Sequence, residues 1–172
     1  MNIRPLTTQG GDGSFRARRA RQVLQLADKR GLSIASAESC TGGQLAALLT
    51  NVEGLAHRFE CAFVPYSDES KCRLLDVPAD LIEAEGAVSK AVARSMAEGA
   101  LERSNAAIAV SVTGYAGPGA PGEEPGLVHL ACADRRGRVW HREEHFNTDD
   151  RDLTRDFSVN VALLMLEEAL SV

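Results

Sequence analysis

Hydrophobic positions in the first third of the chain switch between helical and strand spacing. Apolar residues recur every three or four positions from Phe15 onward, which predicts a first helix that Gly31 ends. A run of small residues over 33–37 predicts a short strand, and the Leu- and Ala-rich segment 44–51 predicts a helix. Between 59 and 64 the apolar residues occupy alternate positions, which is the period of a strand.

Serine residues mark the starts of the next two helices. Ser67 is a suitable cap for a short helix that runs through Leu75, and Ser89 for a longer one that runs to Arg103. The intervening segment, 76–86, contains a proline and is predicted to be a connection without regular structure.

The last third of the chain predicts three strands and a helix. Residues 106–112 form a near-continuous apolar run, typical of a strand that is buried on both faces. Residues 127–133 and 139–146 predict two strands joined by a turn over 134–137, hence an antiparallel hairpin. Thr148 is then predicted to cap the final helix.

This order of elements predicts an α/β fold. Helices that alternate with the first three strands favour a parallel core, and the closing hairpin adds antiparallel pairing, so we expect a mixed sheet with helices on both faces. Because no internal repeat or linker interrupts the pattern, we expect one domain over 15–172 after a flexible segment over 1–14.

Composition and charge narrow the classes of partner. With 19 Lys and Arg against 24 Asp and Glu, the net charge is −5, so we expect no nucleic-acid partner, whereas a small phosphorylated ligand needs only a local positive site. We expect neither a membrane span nor a secretory signal, because no apolar run is long enough. The four cysteines lack metal-binding or disulfide spacing, which favours a cytoplasmic location.

The strongest local candidate for chemistry is the turn that follows the first strand. There the sequence Glu-Ser-Cys-Thr-Gly-Gly, residues 38–43, leads into a helix. Backbone N–H groups at a helix N-terminus can hold a phosphate or the oxyanion of an acyl-transfer intermediate, and glycines allow a ligand to come close. On the residues alone, Ser39 is a candidate nucleophile, but a serine and a threonine before a helix are more often simple caps.

For each of the other candidate residues, an ordinary structural explanation stands beside the functional one. Lys71 is a candidate base for a serine nucleophile, with Tyr66 near it in sequence, although a lysine on such a helix is usually exposed to solvent. The Gly- and Pro-rich loop 113–119 follows a strand, where it either lines a site or makes a tight turn. Arg151 and Arg155 lie one helical turn apart and either bind a phosphate or form surface salt bridges.

The histidines do not predict a metal centre. His141 and His145 share one face of a predicted strand, but their i,i+4 spacing on a strand holds them far apart. We therefore expect no metal site.

Four stretches of the chain, taken in order, resemble the family of CinA carboxy-terminal domains, which includes nicotinamide-nucleotide amidases. They are Ala-Glu-Ser-Cys-Thr-Gly-Gly at 37–43, Phe-Val-x-Tyr-Ser-x-x-x-Lys at 63–71, Gly-Ala-Val-Ser at 86–89, and Val-Thr-Gly-x-Ala-Gly-Pro at 112–118. The resemblance covers about residues 15–170, and the first stretch is highly specific for this family.

The resemblance implies a three-layer α/β/α sandwich around a mixed, mostly parallel five-stranded sheet. It also implies that nicotinamide mononucleotide is deamidated to nicotinic acid mononucleotide and ammonia, without metal or organic cofactor, by a cytoplasmic homodimer that acts in pyridine nucleotide salvage. Carried over by position, Ser39 is the nucleophile and Lys71 the base, assisted by Tyr66 and Thr113. The expected substrate-binding residues, which include the oxyanion-binding amides and the phosphate-binding arginines, are Cys40, Thr41, Gly42, Gly43, Gly114, Gly117, Arg151 and Arg155.

The chain departs from the family pattern near the expected base. Pro65 and Asp68 stand where the family usually has Thr and Asn, and the glycine-rich loop is shorter and more acidic than usual. These departures motivate an alternative, a non-catalytic module that binds a nucleotide without turning it over. A third hypothesis is a cysteine amidase that uses Cys40, for which no histidine base lies nearby in sequence.

Overall fold

Helices and strands alternate along residues 13–172, the part of the chain that the computed structural model describes. The six α-helices in this range are α1 (Gly13–Arg30), α2 (Gln44–Thr50), α3 (Asp68–Leu75), α4 (Ala79–Glu85), α5 (Lys90–Glu102) and α6 (Arg151–Ser171). The five strands are β1 (Ile34–Glu38), β2 (Phe59–Phe63), β3 (Ile108–Gly114), β4 (Leu127–Asp134) and β5 (Val139–His145). The flexible segment expected over 1–14 lies outside the described residues, apart from Gly13 and Ser14, which begin α1.

The five strands form one sheet in the order β2-β1-β3-β4-β5. Strand β1 pairs in parallel with both β2 and β3, while the β3–β4 and β4–β5 pairs are antiparallel. The α/β class and the closing hairpin are therefore confirmed. The expectation of a mostly parallel sheet is wrong in detail, because among the described strands the parallel and antiparallel neighbours are equal in number.

Helices cover both faces of the sheet and create two cores, which confirms the three-layer arrangement. One core lies between the sheet and helices α1, α2 and α6, and large side chains such as Ile34, Val110 and Leu130 point into it. The other lies beneath α3, α4 and α5, where the sheet presents mainly alanines: Ala35, Ala37, Ala109, Ala131 and Ala133. Small residues on this face allow α5 to pack close to the sheet.

Close packing on the alanine face continues into the helices. A Cβ atom at Gly99 on α5 would lie 2.1 Å from the carbonyl oxygen of Leu75 at the end of α3, so only glycine fits there. Ser111 on β3 donates its hydroxyl hydrogen bond to the Ala93 carbonyl of α5 at 2.5 Å. These contacts fix α3 and α5 against the strands that carry the candidate site.

The structure differs from the sequence prediction in one additional helix and in one helix cap. The segment 76–86 contains α4, which Pro78 precedes in extended conformation and whose Ile82 is buried in the alanine-side core. The cap of α6 is Asp150, whose carboxylate accepts the backbone N–H groups of residues 152 and 153; Thr148 instead accepts the N–H of Asp150 itself. Within residues 13–172, no helix is long and apolar enough to cross a membrane.

Candidate active site

The topology brings the predicted chemical groups to one edge of the sheet. Because β1 lies between β2 and β3 and runs parallel to both, the segments after these three strands emerge side by side. Ser39 follows β1, the segment leading to Lys71 follows β2, and Thr113 lies at the end of β3. Ligands in open α/β sheets collect at this edge.

A pocket of about 210 Å³ opens at this edge. Its walls come from the β1–α2 turn, the start of α3, the segment before α5, the end of β3 and the start of α6. The residues that line it are Ser39, Cys40, Tyr66, Asp68, Lys71, Ala87, Val88, Thr113, Gly114, Tyr115, Ala116 and Arg151. The pocket therefore includes all four residues expected to be catalytic, whereas Thr41, Gly42, Gly43, Gly117 and Arg155 are not part of its lining.

The Ser39 turn is held in a defined shape by backbone contacts. The N–H of Ser39 donates to the Val112 carbonyl of β3 at 2.9 Å, and its own carbonyl accepts the N–H of Gly42 at 3.1 Å. Gly42 and Gly43 adopt φ values of 60° and 91°, which favour glycine. The two glycines therefore serve the shape of the turn.

Glu38, the residue before Ser39, organises the N-terminus of α2. Its side chain is fully buried and accepts backbone N–H groups from Gly43 at 3.1 Å, Leu45 at 3.0 Å and Ala46 at 2.9 Å. It also accepts the Ser36 hydroxyl at 3.1 Å. This role was not predicted from the sequence, although a carboxylate at the end of a buried strand and before a helix is a recognisable capping signal.

This contact changes which amides of the turn can bind an anion. The Gly43 N–H is used by Glu38 and the Gly42 N–H by Ser39. Within the described part of the chain, the N–H groups of Cys40 and Thr41 have no oxygen acceptor. These two amides, directly after Ser39, are the ones in the turn left for an oxyanion.

Lys71 lines the pocket with its side chain buried, contrary to the solvent exposure that is usual for a lysine on such a helix. Its side chain is 3% exposed, and its Nζ lies 3.1 Å from Oδ1 of Asp68, whose side chain is 59% exposed. The helix that carries both residues begins as predicted at Ser67, whose side chain and that of Ser70 form a reciprocal capping box. Pro65 lies beyond the end of β2, so it removes no hydrogen bond from the sheet.

The two arginines at the start of α6 have different partners, and neither forms a salt bridge within residues 13–172. Arg151 lines the pocket and donates to the Tyr66 hydroxyl at 3.2 Å. Arg155 instead donates to the Thr41 carbonyl at 3.1 Å and holds the Ser39 turn from behind. Arg151 is therefore the better placed of the two to meet a ligand.

Thr113 and Gly114 form the far wall of the pocket. The Thr113 hydroxyl donates to the Ala87 carbonyl at 2.8 Å and so ties the end of β3 to the segment before α5. A Cβ atom at Gly114 would lie 2.7 Å from Val128, so the close approach of β4 requires glycine here. Gly117 lies beside the backbone of Asp149 and the stem of Arg151.

Cys40 lines the pocket but lacks the properties of a nucleophile. Burial raises the pKa of its thiol to about 12, so the thiol is protonated at neutral pH. The thiolate is the reactive form of cysteine. The raised pKa of the thiol and a pocket lining without a histidine disfavour the cysteine-amidase hypothesis.

Three of the four histidines lie on the β4–β5 hairpin, whereas His57 pairs with Asp28 elsewhere in the fold. His129 Nδ1 and His141 Nε2 lie 3.1 Å apart, while His145 pairs with Glu124 and Glu143. Burial is the main cause that lowers the pKa values of His129 and His141. Across residues 13–172, no group of three or more metal-ligating side chains converges on one point.

A sequence model of one protein family matches nearly the whole chain. It is the CinA C-terminal domain, matched over residues 16–170. A putative competence-damage inducible protein of Symbiobacterium thermophilum is 47% identical over 86% of this chain and 37% of its own length. A CinA-like protein of Citrifermentans bemidjiense is 46% identical over 87% of this chain and 36% of its own length. The chain thus spans little more than a third of these curated relatives.

Solved structures match the complete fold. The competence/damage inducible protein CihA of Agrobacterium tumefaciens superimposes with a TM-score of 0.87 at 38% identity, over all of both chains. The competence damage-inducible protein A (ComA) of Klebsiella pneumoniae gives a TM-score of 0.85 at 34% identity, over 91% of this chain and 97% of its own.

Proposed function

The chain belongs to the CinA C-terminal domain family, and on that premise we propose that it is a serine amidohydrolase that converts nicotinamide mononucleotide to nicotinic acid mononucleotide and ammonia. The observation that carries the proposal is the convergence of Ser39, Lys71, Tyr66, Thr113 and Arg151 on one pocket at the carboxyl edge of the parallel strands. A hydroxyl, a buried amine and a guanidinium are the groups that a Ser–Lys amidase acting on a phosphorylated amide needs.

In the proposed reaction the neutral amine of Lys71 takes the proton of the Ser39 hydroxyl, and the resulting alkoxide attacks the carboxamide carbon. The carbonyl oxygen becomes an oxyanion, which the free N–H groups of Cys40 and Thr41 stabilise. When the tetrahedral intermediate collapses, Lys71 returns the proton to the leaving nitrogen, and ammonia departs from a Ser39 ester. Water then attacks that ester with Lys71 again as base, which releases the acid.

Substrate orientation is assigned to the other pocket residues. Arg151 at the rim binds the phosphate, because its guanidinium is held by one neutral hydroxyl and keeps other N–H donors available. Tyr66, which is 63% exposed, orients this guanidinium. The N-terminus of α2 is not available as the phosphate site, because the Glu38 carboxylate already accepts its amides. The proposal requires no metal or organic cofactor and places the reaction in cytoplasmic pyridine nucleotide salvage.

The test is ammonia release from nicotinamide mononucleotide by the purified protein, beside Ser39→Ala and Lys71→Ala. We expect turnover by the wild type and a loss of at least about 100-fold in each variant, because general base assistance alone contributes on the order of 10²–10⁴-fold. Lys29→Ala on α1, far from the pocket in the fold, is the matched control for removal of a lysine and should retain turnover. Turnover that persists in Ser39→Ala contradicts the mechanism.

One observation favours a second candidate, a nucleotide-binding module without turnover. The only hydrogen bond of Lys71 Nζ within the described chain goes to the Asp68 carboxylate, and this contact competes with the use of the amine as a base. A binding module would raise its melting temperature with the mononucleotide and release no ammonia. Ammonia release therefore separates the two candidates.

A further inference from the structure

The contact between Lys71 and Asp68 is unusual for a lysine that serves as a base. Nζ lies 3.1 Å from Oδ1, with the two residues in the first turn of α3 at i,i+3. Within residues 13–172, no hydrogen bond joins Nζ to Ser39 Oγ. The donors of Lys71 are thus directed to Asp68 rather than to the nucleophile.

Asp68 acts in a pocket that otherwise disfavours a positive charge. Burial removes the Lys71 ammonium from water, and the cation of Arg151 lines the same pocket. Among the residues lining the pocket, Asp68 is the one carboxylate; the other titratable groups that face it are the phenols of Tyr66 and Tyr115 and the thiol of Cys40. Asp68 is therefore the carboxylate of the pocket lining that pairs with this buried amine.

Glu38, the nearest other acid in sequence to the nucleophile, does not perform this role. Its two carboxylate oxygens are bound by three backbone amides and the Ser36 hydroxyl, on the side of the turn away from Lys71. Glu38 therefore binds the amides of the turn that carries the nucleophile, whereas Asp68 is the carboxylate that contacts Lys71.

We propose that Asp68 is a restraining positioning residue for the Ser39–Lys71 pair: it engages Lys71 Nζ in an ion pair, withholds it from Ser39, and so limits the rate of the first proton transfer. This inference rests on the proposed function. The step it slows moves one proton from Ser39 Oγ to Lys71 Nζ, and Asp68 itself is not consumed. Replacing the carboxylate with a neutral group of the same shape should therefore make the protein faster, whereas loss of a supporting contact would make it slower.

The experiment compares wild type with Asp68→Asn, and uses Glu69→Gln as the matched control. Glu69 lies in the same first turn of α3, is exposed, and has no hydrogen bond or ion pair in the described chain, so its variant removes the same charge without touching Lys71. The first readout is acylation of Ser39 by p-nitrophenyl acetate, followed as the burst of p-nitrophenolate, which needs no amide substrate. The second is ammonia release from nicotinamide mononucleotide.

We expect Asp68→Asn to acylate about 3- to 30-fold faster than wild type at neutral pH, with solvent screening of the exposed carboxylate limiting the gain. Glu69→Gln should match wild type, and Ser39→Ala should show no burst. A purely structural role for Asp68 would lower the acylation rate or leave it unchanged, and would not produce a gain.

The two readouts separate failure of this inference from failure of the proposed function. If wild type releases ammonia and Asp68→Asn is no faster in either assay, the restraint is refuted and the amidase stands. If Asp68→Asn gains in acylation while neither protein releases ammonia, the restraint stands and the proposed substrate is wrong. If no protein acylates Ser39, both are overturned.

Discussion

Removing the Glu38 carboxylate should destabilise the protein more than any other single charge change on its acidic residues. Glu38→Gln keeps the shape of the side chain but replaces one acceptor oxygen with an NH₂ donor. With the remaining oxygen placed toward Gly43 and Leu45, the Ala46 N–H loses its acceptor and meets a donor instead. The Ser36 hydroxyl can rotate to accept, so we count one buried amide as lost.

The magnitude follows from that count. An unsatisfied buried N–H costs about 1–3 kcal/mol, and losing a negative charge at a helix N-terminus costs about 0.3–1 kcal/mol. We therefore expect the free energy of unfolding to fall by about 2–3 kcal/mol. Glu38→Ala leaves all three amides without an acceptor and should cost more.

Urea denaturation measures this change as a shift of the midpoint at constant m-value. With m of about 1–3 kcal/mol/M for a small protein, the Glu38→Gln midpoint should drop by about 1 M. Glu53→Gln is the control, because Glu53 is exposed in the loop after α2 and should change the free energy of unfolding by less than about 0.5 kcal/mol. A Glu38→Gln midpoint as close to wild type as that of Glu53→Gln would refute the capping role.

Three further predictions follow from packing, titration and the pocket rim. Gly99→Ala should lower the free energy of unfolding by about 2–3 kcal/mol in urea denaturation, because its Cβ would lie 2.1 Å from the Leu75 carbonyl oxygen. Burial lowers the pKa values of His129 and His141, so below pH 6.5 these two histidines bind protons in the unfolded chain before they do in the folded one. The midpoint of urea denaturation should therefore fall as the pH drops below 6.5. In a variant with both histidines replaced by glutamine, the midpoint should fall by less. Arg151→Ala should raise KM for nicotinamide mononucleotide by about 10- to 100-fold with an unchanged melting temperature, because a hydrogen bond to a charged group contributes about 1.5–3 kcal/mol. An unchanged KM would show that the phosphate binds elsewhere.

Periodicity predicted the elements with long or repeated signals and missed those that depend on tertiary contacts. Alternation at 59–64 located β2, and the Ser67 and Ser89 caps located α3 and α5. Helix α4 was missed because it has only seven residues and directly follows Pro78, which favoured a connection; burial of Ile82 against the alanine-side core stabilises it. The equal mix of parallel and antiparallel pairs also follows from long-range pairing that local patterns do not encode.

In the candidate site, too, the sequence predicted what the order of elements implies and missed what depends on tertiary contacts. The four expected catalytic residues lie around one pocket because parallel strands end at one edge, which the order of elements already implied. The sequence alone did not distinguish Arg151 from Arg155, because both lie on one face of α6 and only the fold places Thr41 beside the second. The Glu38 cap was missed because its partners become neighbours only when the turn has folded.

The most direct test of the central claim is to trap the covalent intermediate. Nicotinamide mononucleotide is mixed with the protein, the reaction is stopped with acid at short times, and peptides are examined by mass spectrometry. The account predicts an adduct of the substrate minus ammonia on the peptide that contains Ser39, located on the serine oxygen, and none in Ser39→Ala. Ammonia release with the adduct on Cys40, or with no adduct in any variant at any time, would contradict a serine nucleophile.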